Sequence, residues 1–425
     1  MKDSGISWVG EIPKEWQTLK SKFIFKQRNT RGNNICIRLL SPTQKYGVIP
    51  QDNYEELTGM NAVKLNNNTN YALLKTIHKG DYCISLRSFQ GGFEYSEYEG
   101  VVSPAYQVFY PIITIADGYY KYLFKERGFI DIMNSYTMSL RDGKNIAFDD
   151  FGDTFIPVPP FAEQQRIAEF LDRECGKIDG LKADIQSQID TLEQYKRSVI
   201  TEAVTHGLNP SAPMKDSGIP WVGNIPKHWN CCSLKYNYNT ISGATPNSND
   251  ISLWDGEIVW VTPADYKTKD VYVCSGARKI THKGYLSCST TLIKQGNIIF
   301  SKRAPIGSVA INKVELCTSQ GCLSVVSKTG NVNNKYFYYL FSVNDETFNL
   351  FGSGTTFQEI SAKDFLNVKF PLPPLDEQQE IADYLDNKCA KIEQIIADKK
   401  SQIETLDGYK KSLIYEYVTG KKEVV

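Results

Sequence analysis

P-V-P-P-F-A-E-Q-Q-R-I-A-E-F-L-D, residues 157–172, opens a stretch that the chain contains twice. The second copy, P-L-P-P-L-D-E-Q-Q-E-I-A-D-Y-L-D, begins at residue 371, an offset of 214 (371 − 157). The register persists to T-L-E-Q-Y-K-R-S-V-I at 191–200, which faces T-L-D-G-Y-K-K-S-L-I at 405–414. Pro159, Pro160, Pro373 and Pro374 cannot sit inside a helix and mark its entry, while Glu163 and Glu377 place a carboxylate near the positive end of the macrodipole. Behind the first entry Leu171, Ile178, Ile185, Leu192 and Val199 recur every seven residues, with Ile167, Leu181 and Tyr195 at the alternate position. That is a heptad seam. The second copy offers Ile381, Leu385, Ile392, Ile395, Ile403, Leu406, Tyr409 and Leu413, with Lys399 standing where the first has Ile185.

Each stretch predicts a helix of roughly 40–45 residues, about 60–65 Å long at 1.5 Å per residue. Helices of that length need a partner. Two seams in one chain can bury each other as an antiparallel coiled-coil pair; the alternative is that each packs on its own globular neighbour. Gly176 and Gly180 predict a weak or closely approached turn in the first helix.

A second repeat leads into each half. M-K-D-S-G-I-S-W-V-G-E-I-P-K-E-W at 1–16 recurs as M-K-D-S-G-I-P-W-V-G-N-I-P-K-H-W at 214–229. The repeat unit is therefore a lead-in, a middle region and a long helix. H-G-L-N-P-S-A-P at 206–213 is rich in turn formers and reads as the joint. The domain plan is a first mixed domain over 1–156, a long helix over 157–205, a linker over 206–213, a second mixed domain over 214–370 and a distal long helix over 371–420. The fold class is α/β (α+β) with an internal pseudo-twofold repeat.

The middle regions share a skeleton rather than a sequence. G-D-Y-C-I-S-L-R-S-F-Q-G-G from Gly80 aligns with G-N-I-I-F-S-K-R-A-P-I-G-S from Gly296, so Arg87 matches Arg303. V-V-S-P-A-Y aligns with C-T-S-Q-G-C, matching Ser103 with Ser319. S-L-R-D-G-K-N-I-A-F-D-D-F aligns with S-G-T-T-F-Q-E-I-S-A-K-D-F, which sets Arg141 opposite Thr355 and Lys144 opposite Gln358. Alternating runs at 259–262, 298–301 and 323–326 predict strands. Two domains that keep a framework but differ at polar, loop-like positions present different surfaces from equivalent places.

Composition bounds what those surfaces meet. The chain has 425 residues, 41% hydrophobic and 23% charged, with a formal net charge of zero. That is ample material for several domains. No apolar run approaches ~18 residues, so no membrane span is expected. The start lacks the apolar core of a secretion signal. Ten cysteines without a C-x-x-C pair and only four histidines predict a reducing cytoplasm and no metal site. Nucleotide-binding, nucleophile-elbow and zinc-protease motifs are all absent from the sequence, so no catalytic residue and no cofactor is expected.

Arginine pairs with guanine and glutamine or asparagine with adenine, each through two hydrogen bonds, and basic side chains meet phosphates. By that chemistry the candidate DNA-contacting residues are Arg87, Gln90, Arg141, Lys144 and Asn145 in the first domain. In the second they are Lys302, Arg303, Gln320, Thr355, Thr356 and Gln358. Singly, an exposed Arg or Gln is ordinary solvated surface. Arg87 and Arg303 stand out because the duplication puts both beside a glycine-containing turn.

The two P-x-P-P-x-x-E-Q-Q helix starts, together with R-S-F-Q-G-G, V-S-P-A-Y, R-A-P-I-G-S-V-A-I, C-T-S-Q-G and G-S-G-T-T-F-Q-E-I-S, resemble the specificity subunits of type I restriction-modification systems. The resemblance covers both halves. It implies a non-catalytic subunit whose two target-recognition domains each read one half of a bipartite, asymmetric double-stranded DNA target. It also implies partners: modification subunits, two of them, that methylate adenine, and restriction or motor subunits. The helix pair, with Leu171, Ile178, Ile185, Leu192, Leu385, Ile392, Leu406 and Leu413 in its seam, would be both spacer and docking platform. Base preferences do not carry over with the resemblance. A coiled-coil scaffold that reads no DNA would also explain the helices and the zero net charge, though not two diverged domains on one skeleton. A self-sufficient methyltransferase would need an N-P-P-[YF]-type motif, which the chain lacks.

Overall fold

A computed structural model describes residues 1–32, 38–60, 71–84, 92–137, 146–266, 271–303, 305–352 and 358–424. Two long helices dominate it, Phe161–His206 with 46 residues and Leu375–Val418 with 44. Neither is broken. The prolines do not open the helices directly but finish a strand first: Phe155–Val158 pairs antiparallel with Gln17–Lys20, and Lys369–Leu372 with Asn230–Ser233. The boundary drawn between residues 156 and 157 therefore falls inside a strand. At the far ends Gly207 (φ 76) and Gly420 (φ 67) adopt the left-handed backbone that closes a helix. Their N–H groups donate to the carbonyls of Ala203 and Tyr417.

The chain divides into two compact units, Met1–Ile185 with Lys400–Val425, and Gln186–Lys399. Each unit contains one mixed domain and a half of each long helix. In the first, the helix halves run antiparallel: Lys410 Nζ lies 2.7 and 2.6 Å from the Asp179 carboxylate oxygens, Lys182 pairs with Asp407, and the Phe170 and Tyr417 rings are 4.4 Å apart. In the second, Lys196 pairs with Glu393, and Ile381, Leu385 and Cys389 share a core with Ile200, Ala203 and Val204. Lys399, the break in the apolar pattern, is bonded to Gln188. The helices also pack on the domains, since Ile167, Leu171 and Ile178 belong to the core that holds Phe25, Tyr82 and Phe124. Both packing alternatives are thus realised at once.

The seam follows a different period from the expected one. Leu171, Ile178, Leu385, Ile392 and Leu413 are buried and Ile185, Leu192 and Leu406 half-buried, but Leu181 (53% exposed), Tyr195 (47%), Ile395 (45%) and Tyr409 (58%) face solvent. Ile167, Ile178, Ile189 and Ile200, spaced by eleven, are all buried, and Ile381, Ile392, Ile403 and Ile414 repeat that spacing with the last two half-buried. Eleven residues in three turns give 3.67 per turn, close to the 3.6 of a straight helix, whereas a strict seven-residue repeat drifts by about 20° per heptad. The drift carries Leu181 and Tyr195 off the buried face. Gly176 and Gly180 are exposed with nothing within 4 Å of an added Cβ, so neither marks a close approach.

The mixed domains are built on a shared antiparallel sheet. In the first the strand order is Phe25–Arg28, Gln107–Pro111, Tyr82–Ile84, Phe93–Tyr95. In the second, Tyr238–Ser242, Cys322–Ser327, Ile298–Ser301 and Val309–Asn312 repeat that order, and Tyr272–Val273 adds a fifth strand, parallel to its neighbour. The second domain also has a three-stranded sheet in which Trp254–Val261 lies between Arg278–Ile280 and Cys317–Thr318. All three runs expected to be strands lie in or largely overlap strands.

The repeated motifs turn out to be clamps. Trp16 and Trp229, both fully buried, donate their indole N–H groups to Glu163 and Glu377 at 2.8 Å each. Gln164 donates to the Pro159 carbonyl (2.8 Å) and accepts from the Ala116 N–H (2.9 Å); Gln378 does the same with Pro373 (2.9 Å) and Asn333 (2.8 Å). A buried amide satisfied at both ends fixes a helix start against a domain loop. Tyr119 donates to the Val418 carbonyl at 2.7 Å, and Tyr336 to that of Val204 at 2.9 Å. Each domain thus holds the start of the helix that follows it and the end of the other.

Candidate nucleic-acid interface

Three segments of the second domain converge around Arg303. The strand Ile298–Ser301 leads into it, and its last residue braces the turn: the Ser301 hydroxyl lies 2.9 Å from the Arg303 carbonyl and 3.2 Å from that of Pro305. Gly307, at φ 104, closes the turn by donating its N–H to the Ser301 carbonyl at 3.1 Å. The Lys302 N–H donates to the Gly321 carbonyl at 3.0 Å, which sets exposed Gln320 alongside. On the other side Arg303 and Glu359 form an antiparallel bridge, and the Ile360 N–H donates to the Lys302 carbonyl at 2.9 Å. Residues far apart in the chain, chosen only for their chemistry, are neighbours here.

Glu359 was not among the sequence candidates, yet it organises the cluster. Its Oε1 is 2.8 Å from Lys302 Nζ and its Oε2 2.8 Å from Arg303 Nε. Partial burial alone would raise this carboxyl, but the two cations outweigh it and hold it below the usual carboxylate range, so it is ionised. Lys302 is therefore committed to an ion pair, with its side chain 15% exposed, while Arg303 at 44% reaches solvent. Gln358 is exposed, and its amide donates to the Asn349 carbonyl at 2.9 Å. The one sequence signal for Glu359 was its place next to Gln358, aligned with Asn145 in the first copy.

Arg87, Gln90, Arg141, Lys144, Asn145, Thr355 and Thr356 lie outside the described residues. Elsewhere in the first domain Arg28 is locked, its guanidinium bonded at 2.7 and 3.0 Å to the buried Asp81 carboxylate and stacked 4.4 Å above the Tyr110 ring. That arginine is framework. In the second domain Arg278 stacks 3.6 Å over Trp254. Among the described residues no group of His, Cys, Asp and Glu is placed to hold a metal ion, and no helix is long and apolar enough to cross a membrane. Burial pushes the Cys317 and Cys389 thiols up to about 11, which makes them poor nucleophiles at neutral pH.

The sequence profile described as "Type I restriction modification DNA specificity domain" matches this chain twice, over residues 13–191 and 226–405. The chain belongs to the type I restriction-modification DNA specificity family. Its relatives include two specificity subunits of Methanocaldococcus jannaschii. That of the type I restriction enzyme MjaIX is 35% identical over 189 residues, covering 44% of this chain and 43% of the relative. That of the putative enzyme MjaX is 29% identical over 272 residues, covering 63% and 59%. The matches thus span about half the length of those two relatives. Among solved structures, a chain from a study of complex assembly and conformational transition of the type I R-M system aligns with a TM-score of 0.72 at 17% identity, covering 97% of this chain and all of that one. The HsdS subunit from Thermoanaerobacter tengcongensis aligns with a TM-score of 0.54, also at 17% identity, covering 99% and 100%. At such identities the likeness is one of fold.

Proposed function

We propose that this chain is the DNA-reading subunit of a type I restriction-modification complex, acting in the cytoplasm and catalysing nothing itself. Each mixed domain reads one half-site of a bipartite, asymmetric duplex target. The helices supply the platform on which two adenine-modification subunits and the restriction or motor subunits assemble. One observation supports this reading above the others: beyond a duplicated clamp framework, exposed Arg303 and exposed Gln320 stand on neighbouring segments of the second domain, tied by the bond from the Lys302 N–H to the Gly321 carbonyl. Both are side chains suited to base edges. No cofactor is assigned to this subunit.

The test is methylome sequencing of a host carrying the complete system, compared with one lacking this chain. The expected outcome is a modified adenine in a two-part motif with an unspecified spacer, lost when the chain is deleted. A motif that persists without the chain, or a purified subunit-containing complex that binds all duplexes alike, would return the scaffold reading.

A further inference from the structure

Arg303 and Lys302 are adjacent in sequence, share one carboxylate and differ in what they can reach. Lys302 points inward, and its ammonium is committed to Glu359 Oε1; Arg303 lies at the rim, held by Oε2 through Nε. Glu359 is held at both ends: its backbone is bridged to Arg303 and flanked by the Ile360 N–H bond to the Lys302 carbonyl, and its two carboxylate oxygens are each engaged by a different cation. The carboxylate is therefore the fixed point. Among the described residues the guanidinium uses only Nε, which leaves its Nη groups directed by an anchored plane. Such a plane can match O6 and N7 of guanine, which accept two parallel hydrogen bonds.

Glu359 also carries a cost that argues for a reading role. A carboxylate beside DNA repels phosphate and weakens binding to every sequence. Specificity is a difference of affinities, and a group that lowers non-specific binding while aiming a donor fork raises that difference from both sides. In the first copy the aligned residue is Asn145, which carries no charge. The two copies share their clamps and differ at this buttress.

We propose that Glu359 is the positioning residue for base recognition by the second domain: it aims Arg303 at one guanine of the half-site, and Lys302 braces the carboxylate instead of reading DNA. This rests on the function proposed above. The test uses the complete modification complex and a library randomised across the target, read as binding and methylation at each base position and at several salt concentrations. Glu359→Gln is expected to lower discrimination at one position of one half-site by roughly tenfold, to leave the other half-site unchanged and to raise affinity for non-specific duplex. Glu359→Asp should recover part of the discrimination. Arg303→Ala should affect the same position, and adding Glu359→Gln to it should cost no further discrimination. Lys302→Met should lower discrimination at the same position, while its non-specific affinity should fall rather than rise because it removes a cation.

If Glu359→Gln left every base preference intact while Arg303→Ala changed one, Glu359 would be a structural residue and the inference would fall. It would fall equally if Glu359→Gln weakened specific and non-specific binding together, or if Arg303→Ala changed no position. Assembly and circular dichroism of each variant guard against misfolding, and should Glu359→Gln fail to assemble, Glu359→Asp and Lys302→Met decide by the same readout. A wild-type complex with no base preference at all would instead overturn the function on which the proposal rests.

Discussion

The two halves of this protein agree where each domain meets the helices and disagree away from those contacts. Trp16 and Trp229, Gln164 and Gln378, Tyr119 and Tyr336 make the same bonds to equivalent partners within a few tenths of an ångström. Away from those contacts the copies diverge freely. Among the described residues only the second domain has a fifth sheet strand and a three-stranded sheet. A buried Glu94, ion-paired with Lys125 in the first domain, has fully buried Ala310 as its aligned counterpart in the second. The difference teaches that the duplication preserves an attachment and leaves the attached surface open to change.

The largest effect should come from the tryptophan clamps. Trp16→Ala and Trp229→Ala should each cost about 3–5 kcal/mol, through a cavity and an indole bond lost from Glu163 or Glu377. Amide exchange resolved by peptide should show each variant loosening its own compact unit and to a similar degree. Unequal losses would break the equivalence of the two halves.

A pH effect should separate them. Burial pushes the Glu94 carboxyl up to about 7, against an opposing pull from Lys125. The native side chain keeps its proton to about that pH, while the unfolded chain releases it near the ordinary 4.5. The native state therefore binds more protons between those values, so stability falls as pH rises through them, by about 3 kcal/mol at most. Protection of the Phe93–Tyr95 amides, corrected for intrinsic exchange, should decline across that window, and Glu94→Gln should remove the decline. The Val309–Asn312 amides should show none of it. A shared decline would mean that the carboxylate is not its source.

Arg303→Ala should weaken recognition by about 1–3 kcal/mol at a single base position. Uniform loss across sequences, with a shallower salt dependence, would assign the arginine to phosphate. The smallest effect should be that of Tyr119→Phe and Tyr336→Phe, about 1 kcal/mol each for one hydrogen bond to a helix-end carbonyl. Chemical denaturation should rank the pair as equals, which sharpens the comparison at its finest grain.

What the sequence revealed was local. The strand Ile298–Ser301 could be placed from its residues because apolar runs bounded by turn formers need no distant information. The end of the first long helix was readable in the same way, from the turn formers at 206–213. The seam was legible as a seam, but its period was not, because both spacings pass through Ile167, Ile178, Ile381, Ile392 and Ile403, and the exposure of Leu181, Tyr195, Ile395 and Tyr409 shows only in the structure. Glu163 looked like a charge for the helix dipole; its indole partner lies 147 residues away. Glu359 was hidden for a related reason, since its meaning comes from Lys302 and Arg303, brought to it by a strand bridge across 56 residues. Contacts of that kind are decided by tertiary packing, to which a linear pattern is blind.

Tyr119 also sets a schedule. Its hydroxyl bonds to the carbonyl of Val418, and the compact unit to which both belong is interrupted by the whole of Gln186–Lys399. A ribosome making roughly 5–20 residues per second needs on the order of 10–40 s to traverse that interruption. Throughout that interval the first unit's nascent part lacks Leu413 and Val418, so the surface that receives them stays wet, while the second unit is encoded without a gap. The half of the protein made first is therefore the half finished last, and a nascent chain stalled before Lys400 would present that unfinished apolar surface to chaperones.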